Sequence, residues 1–424
     1  MLNKDYYYQI LREELIPALG CTEPIAVAYA SAKAREVLGI FPDKIELNCS
    51  GNIIKNVKGV TVPCSGGLKG LDVAAILGAV GGAADRELEV LSVVNSDHIE
   101  KTKELLRKDG FFTCSLVEGV ANLYINIKMQ AGEHSSEITI VDRHTGIKQI
   151  KKDGKVVFSG EQTSQVATGT DRSKMNLEEI FDFAEQADPE KLYEILGRQI
   201  EMNSNISDFG LRENCGANIG STLMASFPED VTIRARARAA AASDARMSGC
   251  AFPVVINSGS GNQGITVSLP VIEYAKELNV SREKLLRALA ISNLSSLYTK
   301  RYIGSLSAFC GAIVAASGAS AAITYLHGGS HEQMARAIVN TLANVGGIVC
   351  DGAKASCAAK IASAVDAAIL GYKMSVSGQN FRNGEGLVLE SPEETIKAIG
   401  YIGRVGMART DVEILNVMID KVEL

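Results

Sequence analysis

The chain carries no excess of positive charge: 43 Lys and Arg stand against 49 Asp and Glu, a formal net charge of −6. Neutralising phosphates needs clustered Lys and Arg, so nucleic acid is excluded as a main partner. The first residues, MLNKDYYYQILREELIPALG, lack the apolar h-region and cleavage site of a signal peptide and are charged and amphipathic instead. Without an export signal the nine cysteines are expected to be thiols or metal ligands rather than disulfides, in a cytoplasmic protein. No C-x-x-C occurs among them, which removes the usual spacing of zinc ribbons and thioredoxins. Tryptophan is absent and aromatics make up only 5%, yet hydrophobic residues reach 46% against 22% charged, too apolar for disorder. Residues 302–330 contain no Asp, Glu, Lys or Arg, and neither do 247–272. The first of these runs is long enough to span a bilayer, but it consists of Ala, Gly and Ser rather than the Leu, Ile and Phe that drive insertion. Closely packed interior helices, and no membrane, are therefore expected.

What is present suggests an α+β fold with a change of character part-way. At roughly 150 residues per domain, 424 residues make two or three domains' worth of chain. A helix is expected from about 4 to 39, ending at Gly39. KIELNCSG and VKGVTVPCSGG read as strands, LDVAAILGAVGGAAD as a helix, and HIEKTKELLRKDG as a helix capped by Asn95. CSLVEGVANLYINIKMQ and SSEITIVDRHTGIKQIKKDG alternate with period two and read as antiparallel strands. The polar stretch 159–175 is the candidate linker, and after it almost everything is Ala/Gly-rich helical pattern without an internal repeat. The expected division is a mixed domain, 1–165, whose N-terminal helix carries Cys21, followed by an all-helical domain, 166–424.

Free cysteine is often simply a small buried hydrophobe, which suits Cys49, Cys114 and Cys250. Cys310, in SAFCGAI, and Cys350 and Cys357, in GGIVCDGAKASCAAK, differ. On one continuous helix Cys350 and Cys357 would lie about 10 Å apart along the axis, wide for ligands of one centre. Gly352 permits a break, with Cys350 ending one helix and Cys357 in the first turns of the next, where amides favour negative charge. Three thiols within one domain make a candidate metal site.

GCTEP from Gly20 to Pro24, NSGSGNQG from Asn257 to Gly264, SAFCGA around Cys310 and CDGAKASCAAK from Cys350 to Lys360 occur in this order. Together they resemble the iron–sulfur L-cysteine desulfidase family, itself related to the α portion of bacterial iron–sulfur L-serine dehydratases. The resemblance runs over nearly the whole chain. It implies a [4Fe–4S] cluster held by Cys310, Cys350 and Cys357, and Cys21 as proton acceptor. Cys64 departs from the small Gly expected in many relatives, leaving an extra thiol for packing or redox chemistry. Three protein ligands for four irons would leave an open Lewis-acid position, unless a thiol such as Cys215 supplies a fourth. Cys21 precedes a plausible first turn, where helix amides stabilise a thiolate; the alternative is Glu23 as base with Cys21 merely packed.

Gly259, Gly261 and Gly264 spell G-x-G-x-x-G, but the β-branched ITVSLP that follows argues against the helix a dinucleotide fingerprint needs. In the family context Ser258, Ser260, Asn262 and Gln263 are candidate donors to a substrate carboxylate or amine; otherwise this is a tight connection. Arg234 and Arg238 share a helical face that reads as solvated, His98, His134 and His144 sit among polar loops, and HGGSH reads as loop rather than metal pair. The expected function is an iron–sulfur lyase releasing hydrogen sulfide, ammonia and pyruvate from L-cysteine, a small amino-acid substrate. L-serine dehydration by the same machinery and a non-catalytic cluster sensor are the alternatives. A two-fold homodimer is the base expectation for assembly.

Overall fold

The structure, a computed structural model, describes residues 2–160, 169–304 and 306–422. The middle of the candidate linker, 161–168, therefore lies outside the described residues. The fold is α+β with a helical C-terminal region, as expected.

The opening is two helices, not one. Helix α1 (Lys4–Glu14) is capped by Asn3 and buries Tyr7, Tyr8, Ile10 and Leu11. A short strand β1 (Pro17–Leu19) follows, and α2 (Thr22–Leu38) starts only after Cys21. Pro17 cannot donate within a helix and its ring would crowd the preceding turn, so the break falls there. Gly20 takes φ +50 beneath the Pro63 ring, which any Cβ would strike. Gly39 ends α2 at φ +83.

Next come β2 (Lys44–Cys49), α3 (Gly51–Val57), α4 (Leu71–Gly81), α5 (Ser96–Leu106), β3 (Phe112–Leu116), β4 (Tyr124–Ala131), β5 (His134–Val141), β6 (Ile147–Lys152) and β7 (Lys155–Ser159). The strands form one six-stranded sheet ordered β3-β2-β4-β5-β6-β7. Two expectations are corrected here. VKGVTVPCSGG is not a strand: α3 ends within it, and only a Thr61–Lys69 bridge follows. CSLV does not join the antiparallel run; β3 pairs parallel with β2 because three helices carry the chain back over the sheet. Alternation places Ser136, Ile138 and Ile140 of β5 inward, and Ser136 Oγ donates to Ala34 of α2 at 2.7 Å. Small residues let α2 and α4 touch: Gly78 lies against the Ala28 backbone.

The helical region runs α6 (Leu177–Gln186), α7 (Pro189–Arg212), α8 (Ile219–Ser226), α9 (Val231–Met247), β8 (Pro253–Val255), α10 (Gly261–Glu277), α11 (Arg282–Ile303), α12 (Gly311–Leu326), α13 (His331–Val345), α14 (Ser356–Val376), α15 (Pro392–Tyr401) and α16 (Ala408–Met418). The charge-free run is α12, buried along almost its whole length, with Gly318 against Ser292 of α11. Hydroxyls of Ser317, Ser320 and Thr324 donate to carbonyls of their own helix, so they need no water. No described helix is long and apolar enough to cross a membrane.

A helix does open within the Gly-rich motif, contrary to expectation: α10 starts at Gly261 and carries Pro270 in its interior. Burial on nearly all sides overrides the β-branched propensity. The dinucleotide reading still fails, because β8 pairs only with β1, antiparallel, and belongs to no parallel βαβ unit. The pairing Pro17–Val255, Ala18–Val254 and Leu19–Pro253 lays the Cys21 turn beside the Ser258 turn. Gly264 keeps this junction closed: a Cβ there would collide with the Val255 carbonyl and lie 2.9 Å from Ile256 Cα. Gly264→Ala is expected to cost about 1–3 kcal/mol by overpacking, read from the urea or thermal unfolding midpoint.

Candidate active site

The turns that carry Cys21, Ser258, Cys310 and Cys350 converge on one cavity of about 560 Å³. Its floor and walls come from both the sheet and the helical region.

Cys21 is the N-cap of α2, and its thiol donates to Glu23 Oε2 at 2.9 Å. The same carboxylate accepts from Thr22 Oγ1 at 3.1 Å and from Asn56 Nδ2 of α3 at 3.0 Å. Helix amides were expected to favour a thiolate here. Burial instead pushes the Cys21 thiol well above its ordinary range and the Glu23 charge adds to this, while Arg246 opposes both. The pair is a thiol held on a carboxylate.

Cys310 caps α12, and the strand before it bridges Phe309 to Val349. Cys310 N–H donates to Ile348 at 3.1 Å and Cys350 N–H to Ala308 at 2.7 Å, which sets the two cysteines on adjacent extended segments. Cys350 therefore does not end a helix as expected; α13 stops at Val345. Gly352, at φ +91, makes the expected break, and Cys357 sits in the first turn of α14. The loop is pinned to α3: Lys354 Nζ donates to Lys58 at 2.7 Å and Lys55 at 3.2 Å, and Lys55 Nζ to Cys350 at 3.4 Å. Burial drives the Cys310 thiol up to about 12, and the Cys350 and Cys357 sulfurs add to this. Burial likewise lowers the Lys300 ammonium, with Cys350 and Cys310 opposing.

Among the described residues no three His, Cys, Asp or Glu side chains converge on a single metal ion. Cys310, Cys350 and Cys357 instead line a shared cavity, with two sulfurs at helix N-termini and with Lys300 and Arg246 in the same lining. Buried thiols amid amides and cations suit an anionic group larger than one ion. Cys215 is not on this wall; its N–H donates to Asn218 at 3.0 Å elsewhere in the fold.

The glycine-rich turn also reaches the cavity. Ser258 takes φ +52 and donates to Asn257 at 2.9 Å, while Ser260 caps α10, accepting from Gln263 N–H. Asn262 Oδ1 accepts from Arg246 at 2.6 Å. Gln263 packs its amide against Gly311, and its Oε1 has no partner. Three of these four groups are thus engaged in holding the turn.

Arg246, on α9 with Arg234, Arg236 and Arg238, is the arginine of that helix that enters the cavity lining. Arg234, Arg236 and Arg238 form ion pairs with Glu277, Asp366 and Asp208. Arg246 is buried, donates to Gly20 and Asn262, and leaves its Nε unpartnered. Its signal was available: it is the lone basic residue between 239 and 275. His327 stacks on Tyr372 and His331 meets Glu185, so HGGSH forms no metal pair.

Residues 85–416 match the family model described as serine dehydratase alpha chain. The chain belongs to that family. The match spans the Cys310, Cys350 and Cys357 segments but stops short of Cys21. Full-length relatives extend to it. A UPF0597 protein of Lachnoclostridium phytofermentans is 53% identical over 97% of this chain and 98% of its own. One from Desulfitobacterium hafniense is 50% identical over 99% of both, and one from Treponema denticola 44% over 97% of both. Membership in the serine dehydratase alpha chain family bears out the resemblance read from the motifs and makes a lyase-type enzyme the coarse assignment.

Proposed function

We propose that the protein is an iron–sulfur-dependent lyase that performs α,β-elimination on a small amino acid, L-cysteine, giving hydrogen sulfide, ammonia and pyruvate. One observation carries this: the Cys310, Cys350 and Cys357 thiols and the Cys21–Glu23 pair face the same cavity, whose lining also holds Lys300 and Arg246. Cys310, Cys350 and Cys357 would hold a [4Fe–4S] cluster, whose negative charge the helix N-termini and Lys300 would favour. When bound, such a cluster supplies an iron with an open position that acts as a Lewis acid.

The chain's own residues do the rest. Arg246 lines the cavity and supplies the cation for a substrate carboxylate, and Gln263 Oε1 and Asn52 Oδ1 are further unpartnered groups on that lining. Cys21, resting on Glu23, takes the Cα proton; its thiol proton passes to the carboxylate as the sulfur becomes basic. The Cβ–S bond breaks as the Cα–Cβ double bond forms, the sulfur leaves as hydrosulfide and takes the proton held on Glu23 to depart as hydrogen sulfide, and the aminoacrylate becomes an imine that water hydrolyses. Buried walls keep bulk water from the proton-transfer pair.

L-serine dehydration is the second reading, favoured by the serine dehydratase alpha chain match. Protein purified without oxygen is expected to hold about four irons and four sulfides per chain. It should release sulfide and pyruvate from L-cysteine with a larger kcat/KM than pyruvate from L-serine. A larger value for serine reverses the substrate order. Tight zinc in place of iron, or no turnover of either amino acid, removes the lyase assignment.

A further inference from the structure

His144 sits in sequence among polar loop residues, yet it reaches the cavity wall. It comes from the β5–β6 turn, where Asp142 takes φ +65 and Arg143 N–H folds back on Val141 at 2.8 Å. This tight turn projects the imidazole inward. Its Cε1 and Nδ1 lie 3.3 and 3.4 Å from where a Gly259 Cβ would stand, so a side chain there would crowd the ring, and the φ of +71 itself favours glycine. The Gly259 carbonyl accepts from Thr22 Oγ1 at 3.0 Å, and Thr22 in turn touches the Glu23 carboxylate. The imidazole and that carboxylate thus flank the same short stretch of wall. The imidazole Nε2 is enclosed and has no hydrogen-bond partner. Such an orphaned buried nitrogen is costly unless a ligand satisfies it.

We propose that His144 Nε2 is the acceptor for the substrate's α-ammonium, with the Glu23 carboxylate supplying complementary charge, so that the site selects α-amino acids over the same acids lacking the amine. Burial holds the imidazole below its ordinary range, and an uncharged ring is what an ammonium donor requires. Arg246 then takes the opposite end of the zwitterion. The assignment rests on the lyase reading above, and its test separates the two.

Wild-type holoenzyme and the His144→Phe and His144→Gln variants are assayed with L-cysteine and with 3-mercaptopropionate, which lacks the amine, as inhibitor. His144→Phe keeps a ring without the acceptor, and its KM for L-cysteine is expected to rise about 10- to 100-fold while kcat stays within a few-fold. The inhibition constant of 3-mercaptopropionate should not move, since it makes no use of the acceptor. His144→Gln, whose amide oxygen replaces Nε2, should recover most of the lost affinity. Unfolding midpoints of both variants identify a merely structural defect, which would weaken amino acid and des-amino acid alike. An unchanged KM in His144→Phe, or an equal loss for both ligands, overturns the His144 assignment while wild-type turnover leaves the lyase intact. A wild type that neither binds nor turns over L-cysteine or L-serine overturns the lyase reading and this one with it.

Discussion

Glu23→Gln is expected to lower kcat by about 10²- to 10⁴-fold, as much as Cys21→Ala does, with iron content and visible spectrum unchanged in both. The expectation follows from the contact between the two side chains. A thiol donating to a carboxylate at 2.9 Å, buried and beside a negative charge, is the wrong species to abstract a proton unaided. The carboxylate that raises the thiol's affinity for its proton is also the group that can receive it. Because the pair works as a unit, the double variant should be hardly worse than either single one. A thiolate stabilised only by the α2 N-terminus makes the opposite forecast. Removing the Glu23 charge would then lower the Cys21 affinity for its proton and move the rising limb of kcat/KM to lower pH. Glu23→Gln would be more active than wild type at neutral pH. A pH–rate profile of Glu23→Gln therefore decides between carboxylate-assisted and dipole-assisted chemistry, and gain of activity removes Glu23 from proton transfer.

The parts of this site that were legible in the sequence are those that sit in local motifs. The 310–350–357 spacing, the Gly352 break and Cys21 at a helix start are all readable from neighbouring residues, and all stand in the structure. The alternating strands β4 to β6 were readable for the same reason, since alternation is a local pattern. What was missed depends on residues far apart in the chain. Asn56 of α3 reaches Glu23 only because α3 packs beside α2, and His144 meets Gly259 only because the sheet abuts the helical region. The α10 start is hidden in the sequence because ITVSLP has strand propensity, while burial on nearly every side lets tertiary packing decide. Helix α3 escaped notice because its residues, GNIIKNV, are too few to show a period.

Cys350→Ser is expected to abolish iron binding and lower elimination by about 10³-fold or more, the several kcal/mol a Lewis-acid metal supplies. Cys350 is the most informative of the three cysteines because the fold holds it by its backbone. Its N–H donates to Ala308, its carbonyl accepts from Lys55, and neither contact involves the sulfur. The serine variant should therefore fold with the loop in place and lack only the ligand atom. Anaerobic reconstitution should leave it with little iron and no broad visible absorption, and its thermal midpoint should match that of wild-type apoprotein rather than holoprotein. The paired control is Cys215→Ser, off the cavity wall, which should retain iron, spectrum and activity. Loss of iron in Cys215→Ser would make Cys215 a fourth ligand and remove the open position on which the elimination depends. Full iron and full turnover in Cys350→Ser would remove Cys350 from the ligand set, and the cluster would need a different third ligand beside Cys310 and Cys357.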